Sequence, residues 1–177
     1  MSILNYLPSF KVVEVNRSTA LIAGHVISQF KLNPDSDLIR TINEGTEEEM
    51  NFIENGFILG IDITGEIDKF NPATHKQPFL HFTEELNRTF PGHKRFAVEW
   101  DADEDIYPRL LALYVGDAFT TDNYDEDSTT DPVAAKVVNG VLTLQDVADS
   151  DSLFLVEESS LPTGEDAYRF VYVGISA

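Results

Sequence analysis

Apolar residues fall in short runs separated by clusters rich in Gly, Pro, Asn and Asp, the pattern of strands and turns rather than of long helices. Lys11–Val15 and Ala20–Phe30, β-branched stretches on either side of Asn16-Arg17-Ser18-Thr19, predict two strands and a turn. Phe57–Ile63, Thr64-Gly65 and the stretch returning from Glu66 predict a strand, a tight turn and a strand. Leu110–Val115 is too short for an independent helix and lies between Pro108 and Gly116, so it predicts a buried strand. Gly116-Asp117 then predicts a turn or bulge before Phe119, Thr120 and Thr121. Val137–Leu144, with Asn139-Gly140 between apolar pairs, carries the strongest hairpin signal. Leu153–Glu157 predicts a buried strand, Pro162–Asp166 a turn, and the alternating Tyr168–Val173 a final strand.

Helix is expected mainly in one place. Thr46-Glu47-Glu48-Glu49 matches a capping box, its glutamates suit the positive end of a helix dipole, and Gly56 stands where a left-handed terminator is wanted. That predicts a short helix over Glu47–Glu54, and Val147-Ala148-Asp149 is open to a further turn of helix. Asn33–Asp37 predicts a turn, and Asp122–Pro132, the most polar segment, an exposed loop. The expected fold class is mainly β: an antiparallel sandwich or barrel of about seven to ten short strands with one or two short helices. A single domain over residues 1–177 is expected, with residues 1–10 an extended arm, since Pro8 cannot donate to an interior ladder. Tyr6, Leu7 and Phe10 give that arm apolar material to dock.

Charge sharpens the picture. The chain carries 12 Lys and Arg against 31 Asp and Glu, a formal net charge of −19. Through Trp100 there are 9 basic and 14 acidic residues, and from Asp101 onward 3 and 17, so the two parts carry −5 and −14. Such a field repels nucleic acid and anionic membranes, and it suits either plain solubility or a basic protein partner. No window approaches the roughly 18 apolar residues of a membrane span, and no export leader is expected from Met1-Ser2-Ile3-Leu4-Asn5-Tyr6. With no cysteine, disulfides and thiolate chemistry are excluded.

Candidate chemistry is sparse. His75, His81 and His93 are spaced by six and twelve residues, which matches neither the helical nor the strand spacing of a metal pair. His81 is expected to alternate with Leu80 and Phe82 across a strand, and His25, within an apolar run, to be structural. Asp101-Ala102-Asp103-Glu104-Asp105 begins like a calcium loop, but Ile106 and Ala112 occupy the positions that need glycine and glutamate. A looser cage drawing on Asp122, Asp125, Asp127 or Asp131 stays open. There is no Gly-x-Ser-x-Gly elbow, phosphate-cradling loop or dinucleotide fingerprint, and paired carboxylates are too abundant to single out one pair. The expectation is therefore no catalytic residue, no cofactor and no metal. Arg88, His93, Lys94 and Arg95 form the basic cluster, placed to meet an acidic patch of a neighbouring subunit.

Three segments in order, Asn55–Asp62, Pro78–Glu85 and Tyr107–Tyr124, resemble a class of small virion-associated structural proteins of tailed bacteriophages. The shared features are a glycine-led strand, a segment of Phe79-Leu80-His81-Phe82-Thr83, and Pro108-Arg109 followed by an apolar strand, Gly116-Asp117, Phe119 and two threonines. The resemblance covers roughly the middle half of the chain and implies a head-associated accessory role, decorating or cementing a capsid. It implies binding to the major capsid protein or another virion protein, self-association, and a place on the capsid exterior after synthesis in the bacterial cytoplasm. The interface residues expected are Tyr6, Leu7, Phe10, Arg88, Lys94, Arg95 and Tyr124. The alternative is a carbohydrate-binding β module of a phage fibre or lectin, stacking sugars on Trp100, Tyr107, Tyr114 or Tyr124.

Overall fold

A computed structural model of the chain describes residues 13–18, 26–33, 40–43, 49–82, 85–86, 94–95, 97–100, 107–126, 129–161, 164 and 166–175. For 17, 40–43, 49–54, 85–86, 94–95 and 97–100 the backbone alone is described. The proposed arm, His25, Thr46, Arg88, His93, Asp101–Asp105 and Asp127 lie outside these residues.

The described residues form strands and no helix. One sheet has seven strands: β1 (Val13–Arg17), β13 (Ala118–Thr121), β14 (Tyr124–Asp125), β15 (Ala134–Val138), β16 (Val141–Gln145), β17 (Phe154–Ser160) and β18 (Asp166–Tyr172), in the order β1-β13-β18-β17-β15-β16-β14. The second has six: β2 (Val26–Ile27), β3 (Lys31–Leu32), β6 (Ile58–Ile61), β7 (Glu66–Lys69), β8 (Phe79–His81) and β12 (Leu110–Ala112), in the order β2-β12-β8-β6-β7-β3. Two smaller groups pair β4 (Arg40–Asn43), β5 (Glu49–Glu54) and β11 (Ala97–Trp100), and β9 (Glu85–Leu86) with β10 (Lys94–Arg95). The mainly β expectation holds, as an open sandwich. Pairing is antiparallel except for β14 with β16 and β3 with β7, so both large sheets are mixed.

Three expectations are corrected. Glu49–Glu54 is strand β5, flanked by β4 and β11, so its backbone bonds go to two neighbouring strands instead of along a helix. Asn16 and Arg17, read as part of a turn, belong to β1, and β1 and β2 lie in different sheets. The segment read as one exposed loop from Asp122 contains β14, and Asn123 within it is buried.

Pleating explains the layers. Ile58, Leu80 and Leu111 are in register on β6, β8 and β12 and point one way; Leu59, Phe79 and Ala112, one residue along, point the other. The first set joins Phe119, Leu142, Leu144, Phe154 and Phe170 of the seven-stranded sheet in the main core. The second joins Leu32, Ile67 and Leu110 in a separate cluster. The six-stranded sheet is thus buried on both faces. At the centre of the main core Phe119 stacks on Phe170, with centroids 5.7 Å apart, and meets Phe154 edge-on at 5.8 Å.

The seven-stranded sheet must curl. β13 and β14 are five strand spacings apart, about 24 Å in a flat sheet, yet the three residue steps from Thr121 to Tyr124 reach only about 10 Å. The β15–β16 hairpin therefore folds back over β18. Its turn is the predicted one: Asn139 and Gly140 both have positive φ, 51° and 79°, and Val138 pairs with Val141. The hairpin tip reaches the other sheet, where the Ile58 N–H donates to the Gly140 carbonyl at 2.8 Å.

Candidate interaction surface

The curl brings Tyr124 of β14 against Tyr168 of β18. Their ring centroids lie 5.1 Å apart at an interplanar angle of 74°, and Tyr124 also meets Phe170 at 6.4 Å. Both rings are partly buried at the rim of the main core.

The short link before Tyr124 is pinned from below. The Asn123 side-chain amide donates to the Asn55 carbonyl at 2.6 Å, and the Asn123 N–H donates to Thr121 Oγ1 at 3.1 Å. Gly56, at φ 92°, makes this approach possible, since a Cβ there would stand 2.7 Å from Asn123 Cβ. Gly56 does adopt the left-handed conformation its position suggested, but it serves a turn after β5 and this close approach rather than a helix end.

Around the pair the field is negative. Burial, then Glu126, the phenol of Tyr168, Asp122 and Asp166, push the Tyr124 phenol above its ordinary value of 10.0. Burial, then Glu126, Glu158, Asp131 and Asp166, do the same to Tyr168. Tyr172, at the opposite end of β18, is raised by burial alone. A near-perpendicular aromatic corner with an acidic rim is chemically suited to a cation: the ring faces carry negative quadrupole density and the carboxylates supply charge.

Other surfaces are less organised. The loop Asp146–Ser152 is knitted to itself. Asp149 accepts from Gln145 Nε2 at 2.8 Å and from the Asp151 N–H at 2.8 Å, contacts that hold its carboxyl below 3.8. An open groove of about 570 Å³ runs between the Pro72-Ala73 turn and β15, lined also by Lys136, Asp151 and Leu153. At the β6–β7 turn Asp62 accepts from the Thr64 N–H, the Thr64 hydroxyl and the Glu66 N–H at 2.7–2.9 Å, which lowers its pKa. Among the described residues no group of three or more His, Asp or Glu is placed to hold a metal ion.

Of the residues expected at an interface, Tyr124 is the one whose side chain is described, and it lies in the aromatic corner. Lys94 and Arg95 form β10, paired with Leu86 and Glu85 of β9. Tyr6, Leu7, Phe10 and Arg88 fall outside the described residues, as does the Trp100 side chain. Tyr107 and Tyr114 are exposed and stand before and after β12. His81 is fully buried and alternates with Leu80 as expected. Sequence reasoning did not single out Tyr168, Glu126 or Asp166. The alternation of β18 was visible, but no local signal shows which tyrosine the curl would bring to Tyr124.

Comparison with protein-family models, with curated proteins and with solved structures returned no match.

Proposed function

We propose that this chain is a structural interaction protein of a tailed-phage virion, decorating or cementing the capsid by binding the major capsid protein lattice. The observation that carries the docking role is the acidic aromatic corner at Tyr124 and Tyr168, in the part of the chain that holds a net charge of −14. It is complementary to a cationic protein surface, and a repeating lattice would multiply a modest contact into stable occupancy.

The choice of partner rests on the resemblance of Asn55–Asp62, Pro78–Glu85 and Tyr107–Tyr124. Those segments contribute β6, β8 and β12, three adjacent strands of one sheet, and then β13, which crosses to the other. Together they supply the packed centre of a sandwich, as expected if the likeness is one of scaffold. Exposed Tyr107 and Tyr114 keep the carbohydrate-binding alternative in view. Incubation with capsids and with a glycan array separates the two: saturable capsid occupancy with a blank array supports decoration, and the reverse overturns it.

A further inference from the structure

An asparagine followed by glycine can react with its own chain, because glycine has no side chain to keep its nitrogen away from the preceding amide. The sequence holds two such pairs, Asn55-Gly56 and Asn139-Gly140, and the fold treats them differently. At the β15–β16 tip Asn139 is exposed, and its side-chain amide makes no hydrogen bond among the described residues. Gly140 is buried, but the group that holds it is its carbonyl, which accepts from the Ile58 N–H at 2.8 Å. Its own N–H donates to no acceptor among the described residues. At the other pair Asn55 is fully buried, and the Gly56 N–H donates to the His81 carbonyl at 3.0 Å. The Asn55 carbonyl accepts from the Asn123 amide at 2.6 Å, and a Cβ at Gly56 would stand 2.7 Å from Asn123 Cβ, so the space around this pair is closed.

We propose that Asn139 is a site of spontaneous deamidation in the folded chain and that the fold shields Asn55 from the same reaction. The Gly140 nitrogen, after losing its proton to hydroxide, attacks Asn139 Cγ. The new N–Cγ bond closes a succinimide ring as the Cγ–Nδ2 bond breaks, and ammonia leaves with a proton taken from water. Water then opens the ring at either carbonyl. Opening at Cγ leaves aspartate in an ordinary chain; opening at the Asn139 main-chain carbonyl leaves isoaspartate, whose main chain is one methylene longer. At Asn55 the attack must first break the Gly56–His81 bond and open the packing, so it waits on local unfolding.

The extra methylene falls between two residues whose positive φ values, 51° and 79°, close the two-residue turn. It displaces the Gly140 carbonyl from the Ile58 N–H, so isoaspartate loosens the hairpin tip from the six-stranded sheet. Aspartate tolerates the left-handed conformation as asparagine does and keeps the contact. The proposal does not depend on the capsid role.

The test is incubation of the full chain in mildly alkaline buffer, folded and in concentrated urea, followed by peptide mapping by mass spectrometry. In the folded chain Asn139 should convert at least about tenfold faster than Asn55, whose reaction carries the cost of local opening. In urea the two should convert at comparable rates. Equal rates at both sites in the folded chain, or an Asn139 that reacts in urea but not when folded, would overturn the proposal. Amide hydrogen exchange at Ile58 reads the consequence. It should be several-fold faster in the isoaspartyl fraction than in fresh protein and unchanged in Asn139→Asp; exchange unaltered in the isoaspartyl fraction would overturn the loosening.

Discussion

Replacing Gly60 with alanine should force the His75 ring out of its seat. A Cβ at Gly60 would press on the imidazole, whose atoms are its nearest neighbours with Cε1 only 2.6 Å away, and the backbone at Gly60 lies outside the left-handed region, so the foremost obstacle is the ring. Moving the ring forfeits the hydrogen bond that Nδ1 accepts from the Asn71 N–H at 2.9 Å, worth about 0.5–1.5 kcal/mol. It also loosens the tilted contact with Phe70 at 5.9 Å, worth about 0.5–1.5 kcal/mol. Against this, alanine in place of glycine in a strand gains about 0.5–1 kcal/mol, chiefly by restricting the unfolded chain. The net expectation for Gly60→Ala is a loss of about 1–2 kcal/mol. In a His75→Ala background the obstacle is gone, and the same substitution should become neutral or stabilising by up to about 1 kcal/mol. Urea unfolding of the four proteins, followed by far-ultraviolet circular dichroism at constant m-value, measures the cycle. An equal effect of Gly60→Ala in both backgrounds would refute the reasoning.

Further outcomes follow from the same contacts. Phe170→Ala, at the fully buried centre of the aromatic cluster, should cost about 3–5 kcal/mol, while Ile63→Ala at the exposed β6–β7 turn should stay within about 0.5 kcal/mol; chemical denaturation checks both. Asp62 has a folded pKa below 3.8, so its contribution is complete above that value and is lost as pH falls through the folded pKa. Asp62→Ala should therefore be less stable than the parent at pH 5, and the gap in melting temperature should close as the solution is acidified. Glu126 raises Tyr124 and Tyr168 but not Tyr172, so Glu126→Gln should lower the first two phenol pKa values toward 10.0 and leave the third unchanged in a ring-resolved NMR titration.

Where structure is encoded locally, the sequence displays it. Asn139-Gly140 names its own hairpin because both residues tolerate positive φ. Gly116-Asp117 does the same: Gly116 has φ 91° and the Asp117 carboxylate accepts the Tyr114 N–H at 2.9 Å. Glu49–Glu54 fails as a helix because the capping signal is local while the pairing with β4 and β11 is not. The count of strands exceeds the expected number partly because short segments such as Val26-Ile27 and Lys31-Leu32 pair over two residues each. Tyr124 was legible as an exposed-looking aromatic in an acidic stretch. Its partner was not, because the Tyr124–Tyr168 contact depends on the curl of a seven-stranded sheet, and the curl is set by a short link and by Asn123 bonding to Asn55.

Co-sedimentation of the full chain with purified tailed-phage capsids, across a series of salt concentrations, tests the proposed docking role. Saturable, stoichiometric occupancy that falls as ionic strength rises, and falls further with Glu126→Gln, is the predicted result. Protein remaining in the supernatant at every salt concentration, or pelleting indifferent to salt and to Glu126, would contradict it.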